Sequence, residues 1–190
     1  MTRPPALQDL VTLSAAELLT ATEGSAAAGR LRDRLIAQPG PLAEPAPERL
    51  AVCDWLPLAL RSAKSRRAAL ADAFAAIEGQ LVWRRRLTAD PRDATFWNGH
   101  ANAMILGPGG LEERSDIWLG VTLMAPQVTY APHNHPPEEI YLSLTPGEWW
   151  NTGMDWTDPG PTGAIYNPPG ILHSMRSGSE PFLALWYLPT

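Results

Sequence analysis

A chain of 190 residues, 45% apolar and 18% charged, is sized for one globular domain, alone or with a helical extension. A formal net charge of −5 excludes a basic nucleic-acid surface, and no run of ~18 apolar residues is present to span a bilayer. The single cysteine, Cys53, cannot close an intrachain disulfide and reads as a small buried hydrophobe. With no basic-then-apolar leader at the start of the chain, the expectation is a soluble, cytoplasmic protein, monomer or homodimer, without nucleic-acid or membrane partners.

Residues 1–80 carry alanine, leucine and arginine at helical spacing. Ser14 reads as an N-cap, with Glu17 completing a capping box. Residues 25–38 form an amphipathic helix with Leu31, Leu35 and Ile36 on its apolar stripe, ended by Pro39-Gly40-Pro41. Further helices are predicted over 48–62 and 65–80, the second with Leu70, Phe74 and Ile77 on one face and Gly79 at its end. The basic clusters Lys64-Ser-Arg66-Arg67 and Arg84-Arg85-Arg86 read as solvated faces or intramolecular pairing.

From Leu81 the pattern changes to short β-like runs punctuated by Gly, Pro, Asn and Asp: 81–87, 94–106, 116–125, 127–131, 138–144, 147–151, 163–167, 171–176 and 181–188. The predicted fold class is mainly β, a sandwich or barrel over 81–190, with the helical segment 1–80 packed on it. Six of the eight tryptophans lie from Trp97 onward, which suggests an aromatic-rich core or pocket there. Along 138–144, Glu139, Tyr141 and Ser143 face one side, and Ile140, Leu142 and Leu144 face the other. The apolar side needs cover from a second sheet, the helices or a partner subunit.

The chemistry concentrates in Tyr130-Ala-Pro-His133-Asn-His135-Pro-Pro-Glu138-Glu139-Ile-Tyr141 and in Pro168-Pro-Gly170-Ile-Leu-His173. On a strand, residues two apart share a face, so His133 and His135 can aim at one point, and so can Glu139 and Tyr141. Three imidazoles with a carboxylate suit a divalent ion such as zinc, iron(II), manganese or nickel. Glu138 is the competing carboxylate and points away if Glu139 points in. His100, outside both motifs, reads as structural or exposed.

These motifs resemble those of the cupin superfamily over roughly residues 95–188: His133, His135 and Glu139 match the first motif, and Pro168, Gly170 and His173 the second. The resemblance implies a cupin-type double-stranded β-helix (jelly-roll) barrel with one divalent metal ion per chain, Zn2+, Fe2+ or Mn2+. The sequence departs from the pattern at turns. Gln127 stands where a glycine is expected, Gly147 and Gly163 are displaced by one position, and Ser177 replaces a common asparagine.

A narrower resemblance runs through His133-Asn-His135-Pro-Pro-Glu-Glu139-Ile-Tyr141-Leu-Ser and Gly147-Glu-Trp-Trp150. It is similar to the dimethylsulfoniopropionate (DMSP) lyases of the small cupin group, particularly the Q type. This implies β-elimination of a small zwitterionic sulfonium substrate to dimethyl sulfide and acrylate. It further implies His135, Glu139 and His173 as metal ligands, with His133 a fourth ligand or close neighbour. Tyr141 would be the base that removes the α-proton, with Tyr130 assisting in the pocket. Tyr130, Tyr166, Trp186 and other tryptophans are candidates to hold the sulfonium by cation–π attraction; Trp149 and Trp150 read first as packing residues. The alternatives are a cupin dioxygenase or isomerase acting on another small carboxylate, and a non-catalytic ligand sensor.

Overall fold

A proline opens the first helix: in the computed structural model, which describes residues 2–190, α1 spans Pro5–Ala21. Proline suits this position because its missing N–H would have no helical partner there. Ser14 is therefore inside the helix, not at its start. It is fully buried and accepts a hydrogen bond from the Tyr187 hydroxyl at 3.0 Å. Helix α2 (Ala26–Ile36) is capped by Ser25, whose hydroxyl accepts from the Ala28 N–H at 3.3 Å. Leu31 and Leu35 are buried as expected, whereas Ile36 sits in the last turn and is exposed.

The two helices expected over 48–62 and 65–80 differ from those observed. A 3-10 turn (Ala51–Trp55) leads into one helix, α3 (Leu56–Ala75), kinked where Arg67 leaves helical geometry (φ −133°, ψ 68°). The kink lets the buried Arg67 bridge elements: it donates to Glu17 of α1 at 3.0 Å, to the Ser143 carbonyl at 2.7 Å and to the Gly163 carbonyl at 2.9 Å. Its neighbour Arg66 binds Asp158 at 2.9 Å. This basic cluster thus pairs within the molecule. Cys53 is buried beside these helices, and burial pushes its thiol up.

Among the described residues, nine antiparallel strands form two sheets: β1 (His100–Leu106), β2 (Ile117–Met124), β3 (Thr129–His133), β4 (Glu139–Ser143), β5 (Glu148–Asn151), β6 (Met154–Thr157), β7 (Ala164–Asn167), β8 (His173–Arg176) and β9 (Phe182–Pro189). One sheet has the order β1-β2-β9-β4-β7 and the other β3-β8-β5-β6. Strand β6 was not anticipated; it follows a tight turn at Gly153, whose N–H donates to Asn151 Oδ1 at 2.9 Å. One expected strand is absent among the described residues, and another, expected over 94–106, begins only at His100. The segment 81–87 makes only isolated bridges, Val82 to Glu48 and Arg84 to Asn102. Residues 94–99 are a one-turn helix, α4 (Ala94–Gly99), because Asp93 caps it by accepting from the Phe96 N–H at 3.0 Å.

Two apolar clusters divide the molecule. The first joins α1, α2 and α3 to the outer face of the five-stranded sheet through Leu119, Val121, Ile140, Leu142, Leu183 and Leu185. The helices are thus the cover that the apolar side of β4 required. The second fills the barrel interior with Phe96, Tyr130, Tyr141, Trp149, Met175 and Phe182. An ionic anchor ties down the start of the chain. Glu112 is fully buried and accepts from Arg3 at 2.5 and 3.0 Å, from Arg114 at 3.2 Å and from the Gly40 N–H at 3.0 Å.

Candidate metal centre

Strand β4 carries the carboxylate and the phenol. Glu139 and Tyr141, two residues apart, face the barrel interior and are almost wholly buried. His173 begins β8 and pairs in register with His133 at the end of β3, so their imidazole centroids lie 4.1 Å apart. His135 reaches the same point by another route than expected. It lies beyond β3 in the loop, where its carbonyl accepts from the Gly170 N–H at 3.0 Å. Gly170 adopts φ +73°, a conformation open to glycine at little cost, and so the second motif's turn holds up the first motif's histidine.

Tyr130 also faces inward. It stands three residues before His133, an odd spacing for one face, but the register slips between them. Pro132 lies in that slip; with no N–H to give to a ladder, it suits an irregular strand. The extra residue restores both side chains to the cavity. Gln127, where a glycine was expected, still takes the left-handed backbone (φ +61°), so this turn keeps its geometry without the usual residue.

The imidazoles are locked by one device used three times. Nδ1 of His133, His135 and His173 donates to the carbonyls of Ala131 (3.0 Å), Pro137 (2.9 Å) and Ile171 (2.9 Å). That commits each Nδ1 as the donor and leaves Nε2 as the lone-pair atom, the arrangement that orients metal-binding histidines. The ligand atoms of the three lie within 4.8 Å of one another. Glu139 Oε2 stands 3.2 Å from His135 Nε2 and 3.3 Å from His173 Nε2. His173 Nε2 is buried with no hydrogen-bond partner. Lone pairs and a carboxylate converging in a buried space need positive charge between them. The donor set, three imidazoles and one carboxylate, fits a borderline divalent cation.

The electrostatics agree. Burial alone would push the Glu139 carboxyl up, but the His135 and His173 imidazoles beside it outweigh burial and hold it down at about 2. Burial, followed by the neighbouring His173 and Arg86, holds the His133 imidazole down at about 3, so it is neutral and free to bind a cation. The Tyr141 hydroxyl is pushed well up by burial and then by the Glu139 charge.

Tyr130, His133, His135, Glu139 and Tyr141 line a cavity of about 190 Å³. Trp118, Trp186, Met175 and Leu188 complete the apolar wall, and Asn102 and Thr122 the polar one. Trp186 lies against Gly120, where an added Cβ would meet its indole at 2.1 Å. Thr122 donates to Asn102 Oδ1 at 2.6 Å, and Asn102 Nδ2 donates to the Tyr130 hydroxyl at 2.9 Å. With its acceptor role used, Tyr130 has its own proton to give to a bound molecule.

The remaining candidates fall elsewhere. Glu138 points away and binds Arg30 at 2.7 Å and the Tyr166 hydroxyl at 2.9 Å. Tyr166 is therefore outside the cavity. Trp149 packs inside the barrel 5.9 Å from Tyr141, and Trp150 pairs with Trp156 at 6.5 Å. His100 is fully buried and structural: Nδ1 contacts the Phe96 carbonyl, and Nε2 accepts from the Arg86 N–H at 3.0 Å. Sequence reading missed Asn102 and Thr122 and did not single out Trp118 among the tryptophans. Their inward direction follows from the registers of β1 and β2, which no motif marks.

A jelly-roll of two antiparallel sheets, with three imidazoles and a carboxylate converging inside it, defines a cupin-type barrel. Within that class the chain belongs to the dimethylsulfoniopropionate lyase family, whose model matches residues 23–184. The chain is 31% identical over 119 residues to the dimethylsulfoniopropionate lyase DddQ of Ruegeria pomeroyi DSS-3. That alignment takes in 62% of this chain and 59% of the relative's length. The crystal structure of DMSP lyase DddQ from the same organism superposes with a TM-score of 0.68 at 25% identity, covering 99% of this chain and 93% of that one. A crystal structure from work on the DMSP lyases RdDddP and RnDddQII superposes with a TM-score of 0.73 at 20% identity, covering 97% and 92%; it shows the shared fold.

Proposed function

We propose that this protein is a metal-dependent lyase that cleaves dimethylsulfoniopropionate to dimethyl sulfide and acrylate by β-elimination. The observation that carries the reading is the placement of Tyr141 beside Glu139, on one face of β4 and in the same small cavity as His133 and His135. Family membership supports the reaction class. Neither a dioxygenase nor a sensor is favoured by a feature of this cavity.

His133, His135, Glu139 and His173 would hold the ion. Bound there, a divalent cation supplies Lewis acidity that draws charge from a substrate carboxylate and makes the adjacent C–H more acidic. Tyr141 Oη takes the α-proton. The C–H electron pair becomes the new C=C bond, the C–S bond breaks with its pair going to sulfur, and neutral dimethyl sulfide leaves acrylate behind. A phenol with an ordinary pKa of ~10 is a poor base at neutral pH, and here burial and Glu139 push it higher still. Tyr141 can act only beside a positive charge that offsets Glu139 and favours the phenolate. Tyr130 keeps its proton, because burial raises it, and its hydroxyl orients the substrate. Trp186, Trp118 and the Tyr130 ring offer π faces to the sulfonium, each worth ~0.5–2 kcal/mol.

The test is headspace gas chromatography of metal-reconstituted protein with dimethylsulfoniopropionate. Dimethyl sulfide and acrylate in equal amounts support the proposal. Oxygen consumption by iron(II)-loaded protein without sulfide release would replace it with a dioxygenase.

A further inference from the structure

Beside the metal-binding cluster lies a second polar bridge between the sheets. Asn151 ends β5 and pairs in register with His173, while Asn167 ends β7 and pairs with Glu139. Residues directly opposite in an antiparallel pair place their side chains on the same face, so each asparagine lies next to one of these groups inside the barrel. The two meet across the gap: Asn151 Nδ2 donates to Asn167 Oδ1 at 3.0 Å, parallel to the Glu139–His173 contact at 3.3 Å. Both asparagines are at least 95% buried.

The orientation of this pair is determined. Asn151 Oδ1 accepts from the Gly153 N–H at 2.9 Å, so its amide must present Nδ2 to Asn167. Asn167 then accepts through Oδ1, which leaves its own Nδ2 buried and without a partner. Burying an unmet amide donor costs roughly 1–3 kcal/mol. A fold that twice specifies the orientation of such a donor places it for something not yet bound. Its neighbour in register is Glu139, whose Oε2 already faces two imidazoles while Oε1 has no partner among the hydrogen bonds of the described residues.

We infer that Asn167 is a positioning residue for the metal centre, its free Nδ2–H serving the Glu139 carboxylate once a cation is bound, with Asn151 fixing its orientation. The inference rests on the metal reading above. A ligating carboxylate whose second oxygen is hydrogen-bonded stays in one rotamer, and removing such outer partners typically weakens metal binding by about 10–100-fold. Asn167 touches no reacting atom in this account.

The experiment titrates apo-protein with Zn2+ against a chromophoric chelator, and records the thermal midpoint of each apo form and the visible spectrum after Co2+ loading. Asn167→Ala should weaken Zn2+ binding about 10–100-fold and change the Co2+ band intensities. Asn167→Ser, close in size but with a donor, should recover part of the loss, and Asn151→Ala should fall between wild type and Asn167→Ala. Should Asn167→Ala fail to fold, the serine and Asn151→Ala variants carry the same comparison. Equal Zn2+ affinity and equal Co2+ spectra in wild type and folded variants, with only the apo midpoint lowered, would make the pair a structural bridge and overturn the inference. Wild-type protein that binds neither ion would instead overturn the metal reading on which it rests.

Discussion

The two faces of the five-stranded sheet carry opposite kinds of side chain on the same strands. Outward, Ile140 and Leu142 of β4 and Leu183, Leu185 and Tyr187 of β9 are fully buried against the helices. Inward, Glu139 and Tyr141, with Trp186 and Leu188, wall a cavity, and the buried His173 Nε2 and Asn167 Nδ2 nearby lack hydrogen-bond partners. Each fully buried Leu or Ile on the outer face contributes roughly 1.5–3 kcal/mol, while the inner face retains polar groups that burial penalises. Stability and chemistry are thereby separated by a single residue step along β4. The helical extension is what allows this, because it covers the face that supplies the stability.

That separation can be broken from either side. The largest effect belongs to the inner face: His173→Ala should remove a ligand and lower Zn2+ affinity by more than ~100-fold, since even outer partners are worth 10–100-fold. Dimethyl sulfide release should vanish while the apo thermal midpoint stays close to wild type, as calorimetry would show. From the outer face, Leu142→Ala should cost about 2–5 kcal/mol by urea denaturation. Its activity per folded molecule should be unchanged at a temperature where the variant is folded; a collapse of activity there would mean that the two faces are coupled.

Acid sharpens the comparison at the anchor of the helical extension. Burial alone would raise Glu112, but hydrogen bonds from Arg3, the Gly40 N–H and Arg114 hold its carboxyl below the ordinary range. A folded pKa below the unfolded value means that the contribution is fully present above ~4.3 and is lost as pH falls through the folded value. The thermal midpoint should therefore drop below about pH 4, and Glu112→Gln should flatten that drop while lowering the midpoint at neutral pH. The smallest effect is Ser14→Ala, which leaves the buried Tyr187 hydroxyl without its 3.0 Å partner and should cost about 1–3 kcal/mol.

How much could be read from the chain follows the same division. The cluster proposed to hold the ion was legible because His133, His135, Glu139 and His173 sit in two short proline-bearing segments, and the apolar alternation of β4 announced a covered outer face. The reason given for His133 and His135 was only half right. Strand periodicity does not bring them together; a loop held by the Gly170 N–H does. Ser14 looked like a cap because its local pattern is a capping box, yet Pro5 starts the helix earlier and a tertiary contact with Tyr187 claims the hydroxyl. Residues 94–99 read as the start of a β-like run over 94–106, and the Asp93 cap decided for a helical turn. Asn167 was hidden in plain view: next to Pro168-Pro-Gly170 it reads as a turn residue, and only the pairing of β4 with β7 sets it beside Glu139.

The central claim is that a cation at the histidine cluster readies the Tyr141 hydroxyl to take a proton from carbon. Tyr141→Phe removes one oxygen from this apparatus and leaves every proposed ligand in place, so the decisive measurement is its dimethyl sulfide release at verified full metal loading. The account predicts one bound ion per chain and a rate lowered by about 10²–10⁴-fold or more. A fully loaded phenylalanine variant that turns over at the wild-type rate would contradict it.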